Sequence, residues 1–276
     1  MKLIILTVKK IVLILSVGIL FAISCYQTSY PRISGHRGAN FIAPENTLAS
    51  ADSCIRYGIP VMETDVILSK DSVFYLLHDA TLDRTTNGTG PIGEWLSKDL
   101  DTLDAGSWFG PEWAGEPLPR FTDLLEKARE SGLDITVDYR NGRFEDIVAL
   151  VREYGMEEHT WYTFSYEGDT RAFREQFPEI TNVQAYLNDP NDLERVLREL
   201  RPGMVVMQAD KITLGVVRRC HDRGVKVLAL ALGFGDKTAL HRRAMWLGVD
   251  VIASDKPEQL VQQFQLLQDK KTATAR

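Results

Sequence analysis

The feature of the sequence that most restricts its fold is the alternation of short β-branched runs with amphipathic helical segments, which continues almost to the C-terminus. A strand, a helix and a parallel strand together form a right-handed βα unit. The eight main strand-like runs are Ile33–His36, Val61–Leu68, Ile135–Arg140, Trp161–Ser165, Asn182–Leu187, Met204–Gln208, Lys226–Leu232 and Val251–Ser254. Eight units in one domain-sized chain predict an α/β fold, a closed (βα)8 TIM barrel, with an open doubly wound sheet as the alternative.

Two features interrupt the alternation after the second strand. A ninth run, Val73–His78, follows Val61–Leu68 after only four residues, which is too short for a parallel crossover and predicts a hairpin. The stretch from about residue 79 to 120 is rich in Gly, Pro, Asp and aromatic residues. Long segments of this kind in compact domains are usually lids or inserted subdomains, so we expect an insertion with a functional role.

The N-terminus has the pattern of an export signal. Lys2, Lys9 and Lys10 precede an uncharged run, residues 11–24, which is shorter than the roughly 20 apolar residues that span a membrane. The four residues that end at Cys25 resemble a bacterial lipobox, in which the cysteine becomes the lipidated N-terminus. This resemblance implies a lipoprotein signal peptide over residues 1–24. We expect a short tether over 25–31 and the barrel domain, with its insertion, over 32–276.

The expected location is therefore the periplasm or cell envelope, where lipids on Cys25 attach the exported protein to a membrane. Ordinary signal peptidase cleavage nearby and an uncleaved anchor are the alternatives. Removal of the leader changes the formal net charge from −6 to −9, which disfavours non-specific binding to nucleic acid. An anionic substrate would need a local cluster of cations. The sequence leaves the oligomeric state open.

Paired carboxylates lie near the end of the second strand. The two-residue period of a strand places Glu63 and Asp65 on one face, and Met62, Thr64 and Val66 on the other. We expect the carboxylates to point into the mouth of the barrel, where active sites form. Two neighbouring carboxylates in a partly buried site need a proton or a cation between them. Oxygen ligands with no nearby cysteine predict Mg²⁺ or Ca²⁺ over zinc.

Two histidines and two arginines accompany these acids at the strand ends. The first strand ends with His36 and Arg37, the third carries Asp138 and Arg140 on one face, and the returning hairpin ends at His78. Each has a simpler interpretation, such as a structural histidine or a rim salt bridge. Their combination predicts that two histidines, three carboxylates and two arginines meet at one end of the barrel.

These residues also carry a resemblance to a known family. The chain resembles the glycerophosphodiester phosphodiesterases, which are related in barrel and chemistry to the phosphatidylinositol-specific phospholipases. The matching segments, which cover nearly the whole chain after the leader, are His36–Ala39, Pro44–Thr47, Glu63–Val66, His78–Asp79, Leu82–Thr86, Leu103–Phe109, Pro119–Phe121 and Asp250–Pro257. The resemblance implies that His36 and His78 are the general acid and base, that Glu63 and Asp65 bind one divalent cation, and that Arg37 holds phosphate.

Three positions qualify the resemblance. Asp138 and Arg140 stand where the family usually has Glu and Lys, so the resemblance implies a metal ligand and a phosphate-binding residue with changed side chains. Glu45 and Asn46 precede the first helix, where they either cap it or support the metal ligands. The penultimate strand ends in Leu228–Gly233, whereas the family commonly has a Trp-Thr-Val-Asn-like ending whose tryptophan lines the alcohol pocket.

The expected function is metal-dependent hydrolysis of glycerophosphodiesters to an alcohol and glycerol 3-phosphate, with acid–base catalysis by the two histidines. Hydrolysis of another lipid or head-group diester is one alternative, since it uses the same phosphate chemistry. A non-catalytic lipoprotein that binds phosphodiesters is a second. A sugar-processing barrel with paired carboxylates is a third, although the histidines and arginines argue against it.

Overall fold

Strands and helices alternate in the order that the sequence predicts. The computed structural model describes residues 30–274, and the side chains of residues 30–270. The strands are β1 (Arg32–Gly35), β2 (Val61–Leu68), β3 (Phe74–Leu76), β4 (Asp134–Tyr139), β5 (Thr160–Phe164), β6 (Gln184–Tyr186), β7 (Met204–Gln208), β8 (Lys226–Ala231) and β9 (Val251–Ser254). The helices are α1 (Leu48–Tyr57), α2 (Ser97–Leu100), α3 (Phe121–Ser131), α4 (Phe144–Glu153), α5 (Glu167–Gln176), α6 (Leu193–Glu199), α7 (Leu214–His221), α8 (Thr238–Leu247) and α9 (Pro257–Thr274).

The eight parallel strands form a nearly closed barrel. Their order is β5-β4-β2-β1-β9-β8-β7-β6, so the first and last strands of the chain are neighbours. A single parallel bridge between Tyr162 and Val183 connects the two ends of this order, and the Tyr162 backbone N–H donates to the Asn182 carbonyl at 2.9 Å. This closure confirms the predicted TIM barrel and excludes the open doubly wound sheet.

The predicted hairpin is also present. β3 runs antiparallel to β2, with Val66 opposite Leu76. The segment that follows has its own apolar cluster, in which Leu82, Leu100 and Leu103 pack on Tyr75 of the hairpin. The Glu116 carboxylate accepts a hydrogen bond from the backbone N–H of residue 49 at 2.9 Å, which joins the segment to α1. The insertion is therefore a packed wall beside the barrel mouth.

Several strands end one or two residues earlier than predicted. His36 and Arg140 lie just past the ends of β1 and β4, yet the His36 N–H still donates to the Ser254 carbonyl at 3.1 Å and the Arg140 N–H to the Val66 carbonyl at 3.0 Å. The ladder thus fixes the backbone of both residues while their side chains leave the sheet.

A tight turn follows β1 and positions Arg37. Gly38 has a φ of +83°, and a Cβ at this position would lie 2.3 Å from the Ser50 hydroxyl oxygen of α1. Only glycine therefore fits between the strand and the helix. Arg37 itself has a φ of +54°, and its backbone N–H donates to the Glu63 carboxylate at 2.7 Å. This hydrogen bond stabilises the unusual backbone conformation.

The predicted signal peptide, Cys25 and most of the tether lie outside the described residues. From Pro31 onward the chain forms one compact unit. Among residues 30–274, no helix is both long enough and apolar enough to cross a membrane.

Candidate active site

All seven predicted polar residues line one cavity of about 220 Å³ at the carboxyl ends of the strands. They come from β2 and β4, from the residues just after β1 and β4, and from the loop after β3. The residues are His36, Arg37, Glu63, Asp65, His78, Asp138 and Arg140. The structure therefore brings the two histidines, three carboxylates and two arginines together, as predicted.

The three carboxylates form one cluster at the base of this cavity. Glu63 and Asp65 alternate along β2, and Asp138 is the β4 partner of Asp65 in the parallel ladder. One oxygen atom from each lies within 4.8 Å of the other two. Asp65 is 1% exposed and Asp138 is 9% exposed. Among the described residues, the buried Oδ1 atom of Asp138 has no hydrogen-bond partner.

Burial together with mutual repulsion disfavours the ionised form of this cluster. Burial, with the charge of Asp65, raises the pKa of Glu63 to about 8. Burial raises the pKa of Asp138 to about 6, although the neighbouring Arg140 opposes the shift. A divalent cation between the three would offset both effects and would give the Asp138 oxygen a partner. The donor set therefore fits an ion that prefers oxygen ligands, such as Ca²⁺ or Mg²⁺.

The two arginines lie on either side of Asp65. The Nε atom of Arg37 is 3.6 Å from the Asp65 Oδ2 atom, and the Nη2 atom of Arg140 donates to Asp65 Oδ1. The same Nη2 atom is 3.1 Å from the Asp138 Oδ2 atom. Both guanidiniums also line the cavity, so each has donors that an anionic ligand can reach. Arg140 therefore contacts two of the three carboxylates through one nitrogen atom.

Glu45 and Asn46 support these residues from the loop before α1. The Asn46 side-chain N–H donates to Asp65 Oδ2 at 2.8 Å, while its oxygen accepts from the Asp65 backbone N–H at 3.1 Å. Glu45 accepts a hydrogen bond from Arg37 Nη1 at 2.8 Å. The N-cap of α1 is Thr47, whose hydroxyl oxygen accepts from the Ser50 N–H at 3.1 Å. The capping alternative for Asn46 is therefore wrong, because its side chain is bound to Asp65.

Each histidine is held by a carboxylate at its Nδ1 atom. His36 Nδ1 is 2.6 Å from Asp255 Oδ1, and His78 Nδ1 is 2.6 Å from Asp79 Oδ1. Burial lowers the pKa of His36, but the hydrogen bond with Asp255 and the charge of Glu63 outweigh burial, so that the pKa is raised overall. With Nδ1 occupied, Nε2 is the ring atom that each histidine can offer to a ligand in the cavity.

The sequence model of the glycerophosphoryl diester phosphodiesterase family matches residues 36–259 of this chain. The match begins at the first histidine of the cavity and ends beyond the last barrel strand. The chain belongs to this family. It is therefore a phosphoric diester hydrolase with a small-molecule phosphodiester substrate.

Relatives of known sequence or structure agree with this family membership. A glycerophosphodiester phosphodiesterase of Caldanaerobacter subterraneus is 28% identical over 240 residues, which covers 83% of this chain and 96% of the relative. The crystal structure of a glycerophosphodiester phosphodiesterase from Agrobacterium tumefaciens superposes with a TM-score of 0.78 at 33% identity, and covers 84% of this chain and 99% of that one. An Oleispira antarctica phosphodiesterase in complex with the product sn-glycerol-3-phosphate has a TM-score of 0.73 at 27% identity, and the match covers 85% of this chain and 96% of that one.

The structure of this family member adds three residues that the sequence did not single out. Asp79 receives a hydrogen bond from Arg84 Nε at 2.6 Å, and Arg84 also donates to Glu45. Asp255 accepts from the Gly233 N–H at 2.7 Å. Asp79 directly follows His78, and this adjacency is the sequence feature that could have indicated its role. Asp255 lies in the segment that resembles the family's last strand, but nothing in its spacing points to His36.

Proposed function

We propose that this enzyme hydrolyses glycerophosphodiesters to an alcohol and glycerol 3-phosphate, with His36 and His78 as the acid and base. The observation that carries the proposal is the pair of carboxylate-bound imidazoles that line one cavity with two arginines. A histidine whose Nδ1 atom is fixed by a carboxylate keeps its ring orientation and presents Nε2 for proton transfer.

Proton transfer by two histidines would balance the reaction. One imidazole removes a proton from the nucleophile, and the other donates a proton to the oxygen of the departing alcohol. The nucleophile is either water or the glycerol 2-hydroxyl, which would give a cyclic intermediate that water then opens. In the direct route one P–O bond forms as another breaks, and the two histidines end in exchanged protonation states. In the cyclic route each of the two steps forms one P–O bond and breaks another, and the second step returns both histidines to their starting protonation states.

Charge in the cavity would orient the phosphate. Arg37 and Arg140 can each donate to phosphate oxygens, with Glu45 fixing Arg37 and Asp65 fixing Arg140. Glu63, Asp65 and Asp138 would hold one divalent cation, Ca²⁺ or Mg²⁺. When bound, such an ion supplies positive charge beside the phosphoryl oxygens as the phosphorus is attacked.

Incubation of the purified protein with glycerophosphocholine, and with other glycerophosphodiesters, tests the reaction. We expect glycerol 3-phosphate and the free alcohol in equal amounts, detected by ³¹P NMR and an enzyme-coupled choline assay. A phosphorylated head group together with free glycerol would mean that the other P–O bond breaks. Binding without turnover in the presence of Ca²⁺ or Mg²⁺ would instead support a non-catalytic phosphodiester-binding protein and reject the proposal.

The proposed location is the cell envelope, with lipids attached to Cys25. The support is the sequence pattern of residues 1–25 alone. In a bacterial host fed an alkynyl fatty acid, we expect the wild-type protein to be labelled and Cys25→Ser to be unlabelled. Cys54→Ser is the matched control, because Cys54 is a buried free thiol of α1 and should keep the label on Cys25. Labelling of Cys25→Ser would contradict the assignment.

A further inference from the structure

The cavity has a second, apolar side that the phosphate chemistry leaves unused. Five of its lining residues come from β7, β8 and β9 or directly follow them, and each has only a hydrocarbon side chain. They are Val206, Leu228, Leu230, Leu232 and Ala253. The carboxylates come instead from β2 and β4, the arginines lie just after β1 and β4, and uncharged polar side chains such as Thr163 and Gln184 complete the lining, so the apolar side occupies one part of the cavity.

The two-residue period of β8 produces this apolar side. Leu228, Leu230 and Leu232 point into the barrel, while Ala229 and Ala231 are buried on the opposite face. Leu228 is buried in a cluster with Val206 and Ala253. Leu230 and Leu232 pack against this cluster and are only partly buried. They therefore present hydrocarbon surface to the open part of the cavity.

An exposed phenylalanine lies just past the last leucine of this side. Phe234 is in the short turn Gly233–Gly235 after β8 and is 96% exposed. The turn is attached to the catalytic centre, because the Gly233 N–H donates to the same Asp255 carboxylate that binds His36. The residue before Phe234 is therefore tied to the carboxylate that holds His36.

We infer that the preferred substrate carries one hydrocarbon chain, which lies along Leu230 and Leu232 and leaves the cavity past Phe234. The inference rests on the proposed function, since it specifies the substituent of the same diester. Its substrate class is the single-chain glycerophospholipid diester. On this wall the hydroxyls of an unsubstituted glycerol would face side chains that cannot form hydrogen bonds, whereas a chain would lose contact with water.

A chain-length series on the wild-type protein tests this inference. Glycerophosphocholine would be compared with lysophosphatidylcholines that carry acyl chains of about four, six and eight carbons, all kept below their micelle concentrations. Burial of a methylene favours binding by a factor of about four, so kcat/KM should rise at least about tenfold across the series. A flat or falling series would overturn the inference.

Variants of the apolar wall locate the effect. Leu232→Asn and Phe234→Ser are each expected to reduce the ratio of kcat/KM for the longest chain to that for the shortest by about fourfold or more. Leu266→Asn is the matched control, because Leu266 is an exposed leucine of α9 that does not line the cavity, and its ratio should equal that of the wild type. An unchanged ratio in both wall variants would contradict the assigned position.

Inhibition of the wild-type protein gives a test that does not depend on the folding of variants. Butyl, hexyl and octyl phosphate would compete with glycerophosphocholine, and their inhibition constants should fall by up to about fourfold per methylene. Equal constants would overturn the inference. Absence of turnover with every diester would instead reject the proposed function, whereas turnover of glycerophosphocholine without any effect of chain length would reject the chain-binding wall alone.

Discussion

Replacement of His36 or His78 with alanine is expected to lower kcat for glycerophosphocholine by about 10² to 10⁴. Each variant removes one of the two groups that transfer a proton, and within residues 30–270 no other histidine lines the cavity. Because His36 and His78 are partly exposed at the cavity wall, the fold should persist. The measurement is steady-state turnover at saturating substrate, with the midpoint of thermal unfolding recorded for each variant.

His159→Ala is the matched control for this prediction. His159 also binds an aspartate through Nδ1, at 2.7 Å from Asp134 Oδ1, but Asp134 begins β4 and so lies at the opposite end of the barrel. This variant loses the same kind of imidazole–carboxylate pair and should keep wild-type turnover. Near-normal turnover in His36→Ala or His78→Ala would reject the assignment of acid and base.

Asp255→Asn separates positioning from proton transfer. The Asn amide is uncharged, so it can accept only a weaker hydrogen bond from the His36 Nδ1–H than the carboxylate does. The Nε2 atom of His36 stays in place. We therefore expect a smaller loss of kcat than in His36→Ala, and a lower kinetic pKa for His36, because the charge of Asp255 contributes to raising that pKa. An Asp255→Asn variant with the same pH profile as the wild type would mean that Asp255 does not act through His36.

Removal of divalent cations is expected to abolish turnover, and Ca²⁺ or Mg²⁺ should restore it. The same ion should raise the midpoint of thermal unfolding, since a ligand at 100 times its Kd stabilises the folded state by about 2.7 kcal/mol. Glu63→Gln should lose both responses, because it removes one of the three clustered carboxylates. Titration of the chelated protein with each ion, followed by calorimetry and by activity, checks both.

Glu194→Gln provides the control for the cation experiment. Glu194 is an exposed glutamate of α6 that pairs with Arg223 at 2.8 Å, so its replacement changes the net charge equally without touching the cavity. It should keep both responses to the ion. An ion-induced rise in the unfolding midpoint of Glu63→Gln equal to that of the wild type would place the ion elsewhere. Turnover that survives exhaustive chelation would remove the cation from the proposal.

Much of the catalytic geometry follows from strand periodicity. Glu63 and Asp65 face the cavity because alternate residues of a strand share a face, and Asp138 repeats the pattern on β4. The hairpin that carries His78 back to the rim follows from a connection too short for a parallel crossover. The ends of the strands were less predictable, since hydrogen bonds continue for a residue past β1 and β4.

The sequence could not assign the residues that depend on contacts between distant segments. Asn46 is of a residue type that often caps helices, and it lies just before α1. Its backbone is left-handed, with a φ of +55°, and its side-chain amide binds Asp65 instead. Glu45 and Arg84 are 39 residues apart and meet only because the insertion folds against the loop before α1. Local pattern carries no information about such contacts.

The alternation of strands and helices, the faces of the strands and the chemical class of the site follow from the sequence alone. They depend on periods of two and 3.6 residues and on side-chain chemistry. The contact of Asp255 with His36, 219 residues away, depends on the folded barrel, as does the shared cavity of the β8 leucines and the carboxylates of β2 and β4. Closure of the barrel makes the first and last strands neighbours, and no local pattern records which side chains then face each other across the mouth.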